Sequence, residues 1–130
     1  MSVREVPPDL RRFIAAAIPS VPFLEAMLLL RSDAPASWNP ARLAQRLYVS
    51  PADAASLLKA LCASGMARPA EDDEQVQFGP QTPELAGLLD RLAETYTSNL
   101  VGVTDLIHSR VDKRAQRFAD AFRWRKDENQ

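Results

Sequence analysis

The sequence predicts a mainly α-helical single domain with one small β-hairpin and helical extensions on either side. Three observations predict it. Apolar residues recur at helical spacing through most of the chain. Proline follows a Ser, Asn or Thr within two residues just ahead of several of these runs, as it does at helix starts. Strand-like alternation occurs in one place only, around a polar turn. The length of 130 residues is one domain's worth, and 46% hydrophobic with 25% charged residues permits a packed core.

The elements follow in order. Pro7 and Pro8 precede "DLRRFIAAAI", in which Leu10, Phe13, Ile14 and Ala17 share a face. Pro19 ends that helix. Ser20 caps the next, "VPFLEAMLLLRS", whose Phe23, Leu24, Met27, Leu28 and Leu30 cover more than one stripe and predict deep burial. "SDAPAS" reads as a loop. Asn39 and Pro40 then open a short helix with Leu43, Ala44 and Leu47 inward and Arg42, Gln45 and Arg46 outward. Ser50 and Pro51 open another, with Ala54, Leu57, Leu58 and Leu61 inward. The "YVS" link between the two is so short that they must cross steeply, which is helix-turn-helix geometry. Gly65 stands where a left-handed helix stop belongs.

"MARPA" and "QVQFG" read as two short strands around "EDDE", with Met66, Val76 and Phe78 inward. Thr82, Pro83 and Glu84 start a long apolar pattern: Leu85, Leu88, Leu89, Leu92, Tyr96, Leu100, Val103 and Ile107. Unbroken, that helix would be roughly 40 Å long at ~1.5 Å per residue. Its weak point is "TYTSNLVGVT", rich in poor helix formers, where a kink or break is expected. A last basic helix, "KRAQRFADAFRWRK", places Ala115, Phe118, Ala121 and Phe122 together, and "DENQ" reads as a frayed end.

Bulk charge bounds the function. With 16 Lys+Arg against 17 Asp+Glu, the chain lacks the basic balance of many strong nucleic-acid binders. The single cysteine excludes an intrachain disulfide, in keeping with a cytoplasmic protein. No apolar run approaches the ~18 residues of a membrane span, and no signal peptide is read at the N-terminus. Frequent Arg and Ala with scarce Lys suggest a GC-rich bacterial genome.

The block "ARLAQRLYVSPADAASLLKALCASGMARP" resembles the winged helix-turn-helix of bacterial transcription factors such as the MarR-like regulators. Leu43-Ala44, Leu47, Val49-Ser50, Leu57-Leu58, Leu61, Gly65 and Met66 stand at the places these proteins keep. The resemblance spans residues 39–79. It implies one domain over 1–130: N-terminal helices at 1–33, the winged unit at 36–80 and a C-terminal extension at 81–130 that builds a homodimer. It also implies a cytoplasmic, DNA-binding transcriptional regulator.

The outward residues depart from that pattern. Direct base readout uses Arg, Lys, Asn, Gln, Glu or Asp in the major groove. The second helix presents Pro51, Ala52, Ala55, Ser56, Lys59 and Ala60, with Asp53 of the wrong sign near its start. The wing tip, Glu71 to Glu74, would repel phosphates. The residues left to contact DNA are Arg42, Arg46, Ser50, Ser56, Lys59 and Arg68. The alternative is a winged-helix protein–protein interaction module that does not bind DNA.

Other constellations favour plain structural roles. The acidic tip and the basic tail (Arg110, Lys113, Arg114, Arg117, Arg123, Arg125, Lys126) are possible protein-docking surfaces, but a solvated turn and an amphipathic helix explain them as well. A membrane contact of that tail ranks lower still. One histidine, His108, and one cysteine, Cys62, offer no material for a His/Cys metal site. Cys62 reads as a small core hydrophobe. No Gly-rich phosphate loop or catalytic triad is present in the pattern, so neither an enzyme nor a cofactor is expected.

Overall fold

The computed structural model describes residues 6–71 and 75–109. Its elements run α1 (Pro8–Ala17), α2 (Val21–Ser32), β1 (Ser37–Trp38), α3 (Pro40–Leu47), α4 (Pro51–Ala63), β2 (Ala67–Pro69), β3 (Val76–Phe78) and α5 (Pro83–Ser98). A further helical stretch, α6, covers residues 100–109. The architecture is mainly helical with a small three-stranded antiparallel sheet, and a three-residue link joins α3 to α4. The wing-tip residues 72–74 and the basic tail from residue 110 lie outside the described residues.

The helix starts are set by local chemistry. Four side chains each accept a hydrogen bond from a backbone N–H of the first turn: Ser20 from Phe23, Asn39 from Arg42, Ser50 from Asp53 and Thr82 from Leu85. Each of these helices has proline in its first two positions, where a missing N–H costs nothing. Such caps contribute ~1 kcal/mol apiece. α1 and α2 meet at 105° across Ile18 to Ser20. No single described helix is long and apolar enough to cross a membrane.

The core gathers Leu10, Ile14 and Ile18 of the first segment with Leu24, Met27 and Leu30 of α2. Leu43, Ala54, Leu58 and Leu61 join them from the helix-turn-helix, and Leu89 and Leu92 from α5. α5 is also strapped to the N-terminal helices by ion pairs. Arg91 grips both oxygens of Asp9 at 2.6 and 3.0 Å, and Arg31 meets Asp90 at 3.0 Å.

Two expectations are corrected around the sheet. The hairpin is a three-stranded sheet of order β1-β3-β2, because Ser37 and Trp38 pair with Gln77 and Val76. "SDAPAS" is therefore not all loop: Ser32 closes α2 and Ser37 opens β1. A two-residue strand carries too few residues to show alternation, so the pattern could not reveal it.

The long helix breaks at Asn99, inside the "TYTSNLVGVT" stretch where a kink or break is expected. α5 ends there, and the Asn99 carboxamide accepts from Gly102 N–H at 3.0 Å while its carbonyl accepts from Val103 N–H. Asn99 thus works as the N-cap of α6. The break shifts the helical phase, so Leu100, expected inward, is 52% exposed, while Val103 and Ile107 stay buried.

Two backbone positions are left-handed. Gly65 (φ +80°) ends α4 as expected, and glycine adopts this conformation without steric cost. Tyr48 (φ 57°, ψ 44°) ends α3 in the same region, uncommon for a residue with a side chain, and stands 94% exposed in the helix-turn-helix link.

Candidate recognition surface

The sequence singles out six residues for contact with DNA: Arg42, Arg46, Ser50, Ser56, Lys59 and Arg68. The structure separates them into two groups.

Arg42 and Arg68 are held by the fold. Arg42 lies with its guanidinium 3.8 Å from the centre of the Trp38 ring. One of its nitrogens donates to Ser37 carbonyl at 2.9 Å and another to the Asp33 carboxylate. Cation, ring, carbonyl and carboxylate thus form one clamp that fixes β1 and the α2–β1 link to the start of α3. Arg68, on β2, is exposed but lies across β3. With the Gln77 amide turned so that its oxygen faces the guanidinium, Gln77 accepts from Arg68 at 3.0 and 3.1 Å. The Arg68 side chain also covers Gly79, where an added Cβ would come within 2.9 Å of Arg68 carbons.

Arg46, Ser50, Ser56 and Lys59 are exposed around the helix-turn-helix. Arg46 lies 5.9 Å from the Trp38 ring centre, and neither it nor Lys59 makes an ion pair among the described residues. The Ser50 hydroxyl oxygen is committed to capping α4 at 3.0 Å.

The outward face of α4 is as the sequence predicts. Pro51, Ala52, Ala55, Ser56, Lys59 and Ala60 are all exposed, and Ala54, Leu58 and Leu61 are buried. Leu57 is only half buried. It sits in a groove of about 370 Å³ between α4 and the α1–α2 corner, flanked by Asp53, Ser56 and Ala60 on one side and by Pro19, Pro22 and Phe23 on the other. The sequence reading missed this groove, because it pairs residues some 35 positions apart. A second depression of about 460 Å³ lies between α2, α3 and α5, with Glu25, Arg31 and Arg46 at its edges.

Trp38 is the other element the sequence reading missed. It is fully buried, and its indole N–H has no acceptor among the described residues. A partial signal exists: Arg42 and Arg46 are one turn apart on α3, and Trp38 immediately precedes the N-cap Asn39 of that helix. Cys62 is half buried against the core, and that burial pushes its thiol pKa up, away from thiolate chemistry. Burial, and then the Glu25 carboxylate, push the Tyr96 phenol up. Among the described residues no three His, Cys, Asp or Glu side chains stand together as metal ligands.

No family model matches this chain, and no curated protein does.

Proposed function

We propose that the chain is a winged-helix protein-interaction module that docks a partner on the outward face of α4 and the groove beside it. The observation that carries this reading is the chemistry of that face. It offers one cation, Lys59, among alanines, a proline and a serine, and it borders an apolar groove whose one charged residue is Asp53. A surface that binds DNA draws its affinity from phosphate neutralisation, about one released counterion per contact. Arg42 and Arg68 are already engaged within the domain, which removes two of the few cations near α4.

A photo-crosslinking amino acid at Ser56, used in bacterial cells, tests the reading. Covalent protein adducts are expected at Ser56, with no retention of mixed genomic DNA fragments by the purified protein at 50 mM salt. Nanomolar retention of a fragment, lost steeply as salt rises, together with an adduct-free Ser56, would sink it.

The second reading is a DNA-binding transcriptional regulator. It is favoured by the exposure of Arg46, Ser50, Ser56 and Lys59 on adjoining surfaces of the helix-turn-helix. Under it, Arg46→Ala and Lys59→Ala each lower the salt slope by about one.

A homodimer is proposed with either reading. Leu100 and Val101, 52% and 66% exposed on α6, are the apolar surface that suits a second copy. Light scattering on Leu100→Ser/Val101→Ser is expected to give monomer, and a wild-type monomer would remove the idea.

A further inference from the structure

We infer that the groove beside α4 receives one amphipathic α-helix of a partner protein, carrying a Lys or Arg that sits opposite Asp53. This inference rests on the protein-docking reading and names the partner's chemistry.

The groove's walls decide the partner's backbone form. One wall is α4, where Asp53, Leu57 and Ala60 fall at helical spacing over two turns, about 10 Å at ~1.5 Å per residue. The opposite wall is Pro19, Pro22 and the start of α2. Helical backbone is internally hydrogen-bonded, and proline has no N–H to donate. An extended peptide would find no strand edge here to satisfy its own backbone. A polyproline ligand would want exposed aromatic rings, and the groove's one aromatic, Phe23, is 2% exposed. A helix satisfies its own backbone and needs only apolar side chains to fill the groove. A volume near 370 Å³ is room for its anchors at i and i+3 or i+4.

Charge decides the partner's polarity. Asp53 is the one charged residue lining the groove, is exposed, and makes no ion pair among the described residues. A Lys or Arg on the incoming helix would complement it and disfavour acidic competitors. The same carboxylate disfavours a second copy's α6 as the occupant. Val101, exposed on α6, has Asp105 one turn on, which would bring a second negative charge to Asp53.

The test uses the full chain and a displayed library of 14-residue helix-patterned peptides. Leu, Met or Phe occupies i, i+3, i+4 and i+7, and all residues are allowed elsewhere. Enriched peptides are expected to carry Lys or Arg beside the apolar stripe. Asp53→Lys should weaken them by about tenfold, and changing the peptide's basic residue to Glu should restore binding to that variant. Ala60→Glu, an exposed helix position, should abolish binding while circular dichroism shows an unchanged fold. No enriched peptide, equal binding to Ala60→Glu, or indifference to the charge swap would each overturn the inference. The docking reading itself is judged separately, by the crosslinks at Ser56: protein adducts there, with no basic helix selected, would remove this inference and leave that reading standing.

Discussion

The two helices of the helix-turn-helix handle charge in opposite ways. α3 carries two arginines, and one of them, Arg42, is spent on the domain itself, stacked on Trp38 and bound to Asp33. α4 points its outward face to solvent with almost no charge on it, and that face runs into an apolar groove. A cation on a helix surface is therefore no guide to where a partner binds. Arg42 reads as available in the sequence because helical phase puts it outside. It is engaged in the fold because an aromatic ring and a carboxylate from the preceding segment reach it.

The sharpest way to break this contrast is to remove the shelf. Trp38→Ala deletes a fully buried ring and the surface under Arg42, and about 3–5 kcal/mol of stability is expected to go with it. Urea unfolding measures this as a lowered midpoint. A loss under 1 kcal/mol would mean that the clamp does not hold β1 to α3.

Next comes Arg42→Ala against Lys59→Ala. The first loses a carbonyl hydrogen bond, a stacked cation and a half-exposed ion pair, and should destabilise by about 1–2 kcal/mol. The second should stay within about 0.5 kcal/mol of wild type. Equal effects would erase the distinction between the two helices. Ser50→Ala should cost ~1 kcal/mol through the lost cap of α4. Because the cap serves folding, Ser50→Gly should recover most of that loss in thermal melts; failure to recover would point to another role for the hydroxyl.

The smallest effect lies away from the surface in question, where α5 is strapped to α1. The Arg91 guanidinium holds the exposed Asp9 carboxyl down to about 2, against ~3.9 for an unfolded chain. The folded pKa is the lower one, so the pair's contribution is present above pH ~4 and fades as pH falls through about 2. The melting-temperature gap between wild type and Asp9→Asn should be small at pH 6 and close by pH 2. A gap that persists there would assign it to packing.

Much of the fold is legible in the sequence because its signals are local. Caps at Ser20, Asn39, Ser50 and Thr82 satisfy donors three residues away, and proline in the first turns marks the same places. The stop at Gly65 and the weak stretch around Asn99 are equally local. The outward residues of α4 follow from helical phase alone, so that half of the candidate site was also readable. β1 was not, since two residues hold no periodicity and their pairing partners lie about 40 positions away.

What the sequence determined by itself, then, is where helices begin and end and which side of each is apolar. These depend on neighbours within one or two turns. What only tertiary structure decided is which surface residues remain free. Arg42 lost its freedom to Trp38 and Asp33, Arg68 to Gln77 across the sheet, and Leu100 gained exposure when the chain broke at Asn99. The groove at Leu57 belongs to the same class, because its two walls meet only when α4 packs beside the corner between α1 and α2.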